Sequence, residues 1–346
     1  MAKGIYITRF KPDNNGDGGD RRCYQIWQKF NQPEVLSLKD VPNQPLSLVY
    51  FLNSFIRLNF RNLSDYLYSK TLQQDQVYRG WNTNFRGIFL TYFRKAKKAN
   101  KHLQKLITAE TTFVIVDDPI YFFPLFSFLK RNNLKIIAIV HNLESLVREQ
   151  VMPGKEMQML EVELIKMRQC DELICISREE YWFLKNLGLN AVFLSYQPLG
   201  DVKNRMLQIN QKRKDSTKKG LLMIGTVNNG PTLKGMLEFK KIFLSDNLAT
   251  KYGKLIVGGF GMHKYADLFE GENIDVRLKI SNEELESLLI SCEAFVCYQI
   301  SGAGALTKIP EIVLAGIPVL ANDMAARTYY GLSGISIINS NGYDIK

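Results

Sequence analysis

The sequence predicts an α/β protein of two domains, each built around a doubly wound, largely parallel sheet. Short apolar runs, typical of strands buried on both faces, alternate with amphipathic helical segments as far as residue 194. A basic, polar stretch with one proline and one glycine then interrupts the alternation, which restarts after it. Because 346 residues are many for one core, we expect domains at 1–197 and 220–346 with a linker at 198–219.

Composition limits the class of protein and its partners. Hydrophobic residues make up 46% of the chain and charged residues 23%, which indicates a globular rather than a disordered protein. The net charge of +11 favours anionic partners such as nucleotides, nucleic acid or acidic lipid. The five cysteines form no CxxC pair, so we expect a reducing compartment and no zinc site. The chain opens directly on a strand pattern without a signal peptide and has no membrane-spanning apolar run, so we expect a cytoplasmic location.

The first domain opens as strand, glycine-rich loop and helix, a pattern typical of nucleotide-binding α/β folds. These elements are Gly4–Thr8, Lys11–Asp20 and Arg21–Phe30. The loop lacks the GxGxxG spacing of a dinucleotide site, and it lacks the glutamate that a calcium loop requires. A solvated loop with Asp20 as a helix cap is the alternative to a ligand-binding role. Further strands are predicted at Glu34–Leu38, Thr112–Val116, Lys135–Val140, Glu172–Ser177 and Ala191–Leu194.

The stretch from Tyr50 to Lys105 is rich in aromatic and basic residues. It suits either helices packed on the sheet with a solvated lysine face, or a patch that contacts an anionic membrane surface. Interleaved bases and aromatics also suit single-stranded nucleic acid, but no nucleic-acid fold signature accompanies them, so we expect no nucleic-acid partner.

Two polar residues are predicted at the carboxyl ends of neighbouring strands. Asp117 ends the strand Thr112–Val116, and His141 directly follows Lys135–Val140. Open α/β sheets bind ligands at this edge, so both residues are candidates for a site, although a lone histidine is more often structural. Asp118 suits an N-cap for a helix that begins near Pro119.

The second domain carries the most informative segment, Ser301 to Asn322. It follows the apolar strand Ala294–Tyr298 and reads as a glycine loop, a helix over Leu306–Leu314 and a strand over Ile317–Ala321. Other strands are predicted at Leu221–Gly225, Leu255–Val257, Asp275–Leu278 and Ile335–Ile338, with a helix over Asn282–Ser291 that Ser281 starts.

Lys308 lies in the first turn of the predicted helix, and Glu311 lies one turn further on, at i+3 on the same face. A cation is disfavoured at a helix N-terminus unless an anion binds there, so Lys308 indicates a phosphate ligand. Glu311 can accept hydrogen bonds from ribose hydroxyls. The alternative is an ordinary crossover connection with a Lys–Glu pair on its surface.

The segment reads GxGxLxKIPExxxxGxPVLA and resembles the nucleotide-sugar-binding segment of bacterial glycosyltransferases with the GT-B fold. Three other stretches resemble parts of the same group: HNLE at 141–144, KMRQCDELICISREE at 166–180 and GTVNNGPTLKGMLEF at 225–239. The glycine-rich loop resembles its G-G-x-x-R motif.

This resemblance implies a GT-B fold, in which two Rossmann-like domains face each other across a cleft. It also implies a retaining transfer from a nucleotide sugar to a glycan or lipid-linked acceptor, in surface polysaccharide or glycoconjugate synthesis, with no metal and no cofactor besides the donor. By the same resemblance, Lys308 faces the donor diphosphate and Glu311 holds the ribose. The remaining implied site residues are Gly302, Gly304 and Thr307 along the phosphates, Gly225 and Thr226 at the edge of the cleft, Gly18, Gly19 and Arg22 near the phosphates or acceptor, and His141 at the donor sugar.

The chain departs from the group in two places. Many retaining members have a Glu-x7-Glu motif, and Ala303 stands at its first position here. The chain stops at Lys346, before the helix with which GT-B proteins commonly finish. An inverting enzyme would need a carboxylate base, for which Asp117 is the candidate. The alternatives to a transferase are another sugar-nucleotide enzyme, such as an epimerase or hydrolase, and a non-catalytic partner that keeps the fold.

Overall fold

A computed structural model describes residues 3–8, 12–14, 16, 18–37, 100–147, 154, 156–245, 248–338 and 344–345. The chain forms two compact units. The first contains Met1–Asp13 and Arg22–Ser195, and the second contains Asn14–Arg21 and Tyr196–Lys346. The predicted two-domain α/β fold is confirmed.

The first unit contains a six-stranded sheet in which every pairing is parallel. In spatial order its strands are β2 (Glu34–Ser37), β1 (Lys3–Thr8), β3 (Thr111–Asp117), β4 (Lys135–Val140), β5 (Glu172–Cys175) and β6 (Ala191–Phe193). Successive residues along a strand enter apolar clusters on opposite faces of the sheet, as Val114 and Ile115 do. Burial on both faces explains why these strands are continuous apolar runs.

One helix of the first unit starts and stops where local sequence signals place it. For Arg178–Asn186, the side chain of Ser177 accepts a hydrogen bond from the backbone N–H of Glu180 at 3.2 Å, and Gly188 follows the helix with φ of 77°. Further helices are Gly18–Lys29, whose first four residues are counted with the second unit, Pro119–Phe122, Phe126–Arg131 and Glu156–Met167.

The second unit contains a seven-stranded sheet. In spatial order its strands are β13 (Asp344–Ile345), β12 (Ile335–Ile338), β11 (Val319–Ala321), β10 (Ala294–Cys297), β7 (Leu221–Ile224), β8 (Leu255–Gly258) and β9 (Ile274–Arg277). Only β13 runs antiparallel to its neighbour. The α-helices described here are Gly200–Arg213, Gly230–Ser245, Leu248–Tyr252, Asn282–Ser291, Lys308–Leu314 and Asp323–Ala326.

The predicted linker at 198–219 is wrong over most of its length, because Gly200–Arg213 is a helix of the second unit. Val202, Met206 and Ile209 follow each other at helical spacing and are buried in its core. The buried guanidinium of Arg213 donates hydrogen bonds to backbone carbonyls around the end of Asn282–Ser291. The apolar stripe is narrow and most other residues of the helix are polar or basic, so composition alone suggested a linker.

Most of the aromatic and basic stretch from Tyr50 to Lys105 lies outside the described residues. Its end, at 100–106, is helical, and Leu103 there is fully buried in the first unit. Among the residues that the structure describes, no helix combines the length and the apolar character needed to cross a membrane.

Candidate functional site

The second unit places a lysine ammonium at the carboxyl end of its central strands. The helix Lys308–Leu314 begins two residues later than predicted, so Lys308 is its first residue. The Nζ atom of Lys308 donates a hydrogen bond to the carbonyl of Ile224, the last residue of β7, at 2.9 Å. A side chain at Gly225 would lie 3.6 Å from that ammonium and 2.6 Å from the methyl of Thr232, so glycine keeps this corner open. Thr226, next in the chain, is exposed.

The loop between β10 and this helix needs its glycines for their backbone conformation. Gly302 has φ of 118° and Gly304 has φ of 73°, where other residues are strained. The guanidinium of Arg327 binds the carbonyl of Gly304 at 2.6 Å and the side chain of Gln299 at 3.2 Å. The loop therefore lies beside a fixed positive charge, an arrangement suited to an anion. Sequence reasoning missed Arg327, since no motif contains it.

Glu311 is buried, and its carboxylate already has partners. Nη1 of Arg21 donates to both carboxylate oxygens, at 2.9 and 2.8 Å, and the hydroxyl of Tyr196 donates to Oε1 at 2.7 Å. Arg21 and Tyr196 belong to the second unit together with Glu311. The sequence did not reveal this pair, because the residues are separated by 290 and 115 positions.

The glycine-rich motif near the N-terminus is arranged differently from the expectation. Gly18 and Gly19 form the first turn of a helix, not the loop before it. A side chain at Gly18 would lie 2.8 Å from the hydroxyl of Thr307, so Gly18 does lie beside one predicted phosphate-lining residue. Arg22, however, is fully buried in the first unit and donates to Gln25 and to the carbonyl of Leu194 at 2.6 Å each. Arg22 therefore helps to hold the first unit together, and its contact with phosphate or acceptor stays a prediction.

The first unit brings Asp117 and His141 together, as their positions at neighbouring strand ends predict. Nε2 of His141 is hydrogen-bonded to Oδ1 of Asp117. The other carboxylate oxygen accepts from the hydroxyl of Thr8 at 2.8 Å and from the thiol of Cys23 at 3.3 Å. Asp117 is fully buried, whereas the side chain of His141 is 21% exposed. Asp118 caps the next helix as expected, accepting from the backbone N–H of Ile120 at 3.0 Å.

The surroundings of Asp117 favour its ionised form. Burial acts to raise the pKa of this carboxyl, but the electrostatic attraction of His141 and the hydrogen bonds from His141, Thr8 and Cys23 together hold it below its ordinary value. Burial, followed by the negative charge of Asp117, raises the pKa of the Cys23 thiol well above its ordinary value, so Cys23 stays protonated and donates.

Cys23, Asp117 and His141 could also hold a metal ion, because one ligand atom from each lies within 4.8 Å of the others. In the protonated form described above, the thiol is a poor metal ligand, since the thiolate is the form that binds. The arrangement is better suited to orienting the His141 ring: a histidine that donates from Nε2 presents Nδ1 as the proton acceptor.

The burial of Asp117 limits what it can do directly. A fully buried carboxylate that accepts three hydrogen bonds is poorly placed to take a proton from a bound substrate, whereas His141 reaches the surface. The geometry therefore fits Asp117 as the residue that orients His141.

Comparisons with known proteins agree with the architecture. The family "Glucosyltransferase 3-like, N-terminal domain" matches residues 87–198. No curated protein matches the chain.

Solved structures resemble almost the whole chain at low sequence identity. The α,α-trehalose-phosphate synthase (UDP-forming) from Burkholderia vietnamiensis has a TM-score of 0.61 and 10% identity, over 99% of this chain and 86% of that one. Sucrose-phosphate synthase from Thermosynechococcus elongatus has a TM-score of 0.58 and 11% identity, over 98% and 87%. Anabaena HepE, solved in complex with UDP, has a TM-score of 0.53 and 10% identity, over 94% and 82%. The chain therefore has the GT-B fold, and residues 87–198 are similar to the N-terminal domain of glucosyltransferase 3-like proteins.

Proposed function

We propose that this chain is a glycosyltransferase that moves a sugar from a nucleotide sugar to a glycan or lipid-linked acceptor. The observation that carries the proposal is the position of Lys308. Its ammonium lies at the carboxyl end of β7, beside Gly225, in the unit that also holds the glycine loop. A fixed cation next to open backbone at this edge of an α/β sheet suits the diphosphate of a nucleotide sugar.

In this proposal Lys308 stabilises the leaving group. When the bond between the anomeric carbon and the diphosphate oxygen breaks, its electron pair stays with the diphosphate. An ammonium held in place before the reaction favours that charge without rearranging during the step. Arg327 adds a second positive charge through its contact with Gly304. These groups supply the charge that the step needs, and we propose no cofactor besides the donor.

Glu311 is the proposed ribose ligand, and the structure adds a condition to this role. Nη1 of Arg21 lies between the two carboxylate oxygens, where two vicinal hydroxyls would each donate a hydrogen bond. Ribose binding through Glu311 then requires Arg21 to move aside or to share the carboxylate.

His141 is the residue of the first unit that we propose contacts the reacting groups. Oriented by Asp117, its Nδ1 atom can take the proton of an acceptor hydroxyl while that oxygen forms the new bond to the anomeric carbon. This step leads to inversion. The resemblance to retaining enzymes suggests the other outcome, in which the departing phosphate takes that proton and His141 contacts the donor sugar.

The configuration of the product distinguishes these two roles. NMR of the isolated product gives the coupling constant of its anomeric proton, which is compared with that of the donor. An inverted product assigns the proton transfer to His141, and a retained product assigns it to the phosphate.

The proposal is tested with a panel of donors. UDP-glucose comes first, because HepE was solved with UDP and the matched family is named for glucosyl transfer. UDP-galactose, UDP-N-acetylglucosamine and GDP-mannose follow, each with free and lipid-linked glycans as acceptors. Mass spectrometry should show an acceptor heavier by one sugar residue. A folded protein that modifies no acceptor with any of these donors would contradict the proposal.

We further propose that the enzyme works in the cytoplasm, at the inner surface of the membrane where a lipid-linked acceptor is used. The support for this comes from the sequence alone: the bases and aromatics between Tyr50 and Lys105, and a net charge of +11.

A further inference from the structure

The loop that carries His141 is held from two sides by buried glutamates. It follows β4 directly and continues into a short turn of 3-10 helix at Glu144–Leu146. Glu163 on the helix Glu156–Met167 and Glu180 on the helix Arg178–Asn186 both point their carboxylates at backbone N–H groups of this loop.

Glu180 binds the loop two residues after His141. Its Oε1 accepts the backbone N–H of Leu143 at 2.7 Å, and its Oε2 accepts the hydroxyl of Ser177 at 2.8 Å. Ser177 is also the N-cap of the helix that carries Glu180, so the carboxylate is fixed at its own end as well. Leu143 itself is fully buried.

Glu163 binds the loop four residues after His141. Its carboxyl group accepts the backbone N–H of Ser145 at 3.3 Å and the hydroxyl of Ser145 at 2.5 Å. Glu144, in the loop itself, also acts on this carboxyl group, and its own side chain accepts from Asn142 at 2.8 Å.

Both glutamates are placed at a cost to the fold. Glu163 is 0% exposed and Glu180 is 3% exposed, and burying a carboxyl group is unfavourable unless its hydrogen bonds compensate. For Glu163 the compensation is incomplete, since burial raises the pKa of this carboxyl to about 8 despite the hydrogen bonds from Ser145. Apolar residues of similar size would fill the same space without this cost. Such groups are expected where they fix a conformation that the protein uses.

We propose that Glu163 and Glu180 are positioning residues that fix the backbone around His141 and so hold its ring against Asp117. The strand fixes the residue before His141, because the carbonyl of Val140 accepts the N–H of Ile176 at 3.4 Å. Glu180 fixes the residues after it. Asp117 then needs only to orient the ring, and a shift of the loop would change the direction of the ring nitrogen that faces substrate.

The effect on catalysis rests on the proposed function, but the effect on His141 does not, so the two are measured separately. The chain has three histidines. Replacing His102 and His263 with glutamine leaves His141 as the only signal after labelling with ¹⁵N-histidine. Ring ¹⁵N shifts report its tautomer and titration in the protein alone, without donor or acceptor.

Each substitution has a stated expectation. Glu180→Ala and Glu163→Ala remove the acceptor for a loop N–H, and both should move the His141 shifts towards those of a mixture of tautomers. Glu180→Asp keeps the carboxyl group but is too short to reach the loop, so it should have the same effect. It replaces the alanine variant if that protein does not fold. Glu180→Gln retains a carbonyl acceptor for Leu143 and should restore the wild-type spectrum. Glu161→Ala, an exposed change on the helix of Glu163, is the matched control and should leave His141 unchanged.

Kinetics provide the second readout. The alanine variants should lower kcat roughly tenfold, since small displacements of reacting groups are costly, with the affinity for the nucleotide changed by less than about twofold. Unchanged His141 shifts in folded Glu180→Asp and Glu163→Ala proteins would overturn the proposal. Altered shifts in a protein that transfers no sugar would confirm the positioning role and contradict the proposed function instead.

Discussion

Replacing Lys308 with methionine should separate nucleotide diphosphate binding from nucleoside binding. The ammonium is held 2.9 Å from the carbonyl of Ile224 and beside the open corner at Gly225, and methionine keeps most of the apolar stem. A hydrogen bond to a charged group contributes about 1.5–3 kcal/mol. At about 1.4 kcal/mol for each tenfold change, UDP should bind roughly 10- to 150-fold more weakly, while uridine should change by less than about twofold.

Calorimetric titration of UDP and uridine into both proteins measures these ratios. The chain offers a matched control, since Lys240 also donates to a backbone carbonyl, that of Leu268, at 2.9 Å on an exposed part of the helix Gly230–Ser245. Lys240→Met should leave both ligands unaffected. If Lys308→Met weakens uridine as much as UDP, the lysine supports the local fold and our assignment of the phosphate site is wrong.

Four further predictions can be tested, three drawn from the structure and the last from the sequence. Glu311→Gln should weaken the binding of UDP but not of its 2′,3′-dideoxy analogue, as measured by calorimetry. Equal losses of affinity would mean that Glu311 does not bind the ribose. His141→Ala should lower turnover by roughly 10²- to 10⁴-fold with nearly unchanged UDP affinity, and a folded variant with normal turnover would exclude it from the site. Because the folded-state pKa of Asp117 is lower than its ordinary value of 3.8, its ionised contacts stabilise the fold above that pH and are lost as the pH falls further. The free energy of unfolding that Asp117→Asn loses, measured with urea, should therefore be larger at pH 7 than at pH 3. An equal loss at both pH values would contradict the ionised state of Asp117. Finally, the lysines at 95–105 should support salt-sensitive co-sedimentation with anionic vesicles, at about 1 kcal/mol for each base; equal binding to neutral vesicles, or none to anionic ones at low salt, would contradict it.

The strands and the edge of the sheet where ligands bind could be predicted from sequence, because both depend on local patterns. Lys135–Val140 and Ile335–Ile338 have the predicted bounds, and Ser281 caps the helix Asn282–Ser291 as its sequence indicates. Parallel strands bring their carboxyl ends together, which is why the sequence places Asp117 and His141 at the same edge of the sheet.

The contacts that the sequence did not reveal join residues far apart in the chain or depend on which side of a helix faces inward. Arg21 and Arg22 are neighbours, but successive residues of a helix point about 100° apart. Arg22 lies on the buried face with Cys23 and Ile26, whereas Arg21 points elsewhere and binds Glu311. The motif pointed to Arg22, and it did not reveal that its neighbour Arg21 contacts Glu311.

The sequence also did not reveal which carboxyl groups are buried. Glu163 and Glu180 lie on helices that carry several charged residues, and only the fold shows that each one faces the loop after β4. The helix Gly200–Arg213 was missed for a related reason, because three buried apolar residues among many bases give a weak periodic signal.

The central claim, transfer of a sugar from a nucleotide donor, is tested most directly by following donor breakdown with and without acceptor. Released UDP is measured against time and compared with the amount of glycosylated acceptor in the same samples. Our account predicts equal amounts of the two products, negligible release without acceptor, and a large loss of both in His141→Ala and Lys308→Met. UDP release at the same rate with and without acceptor would indicate a hydrolase. A changed sugar on an intact donor would indicate an epimerase, and no reaction despite UDP binding would indicate a non-catalytic partner.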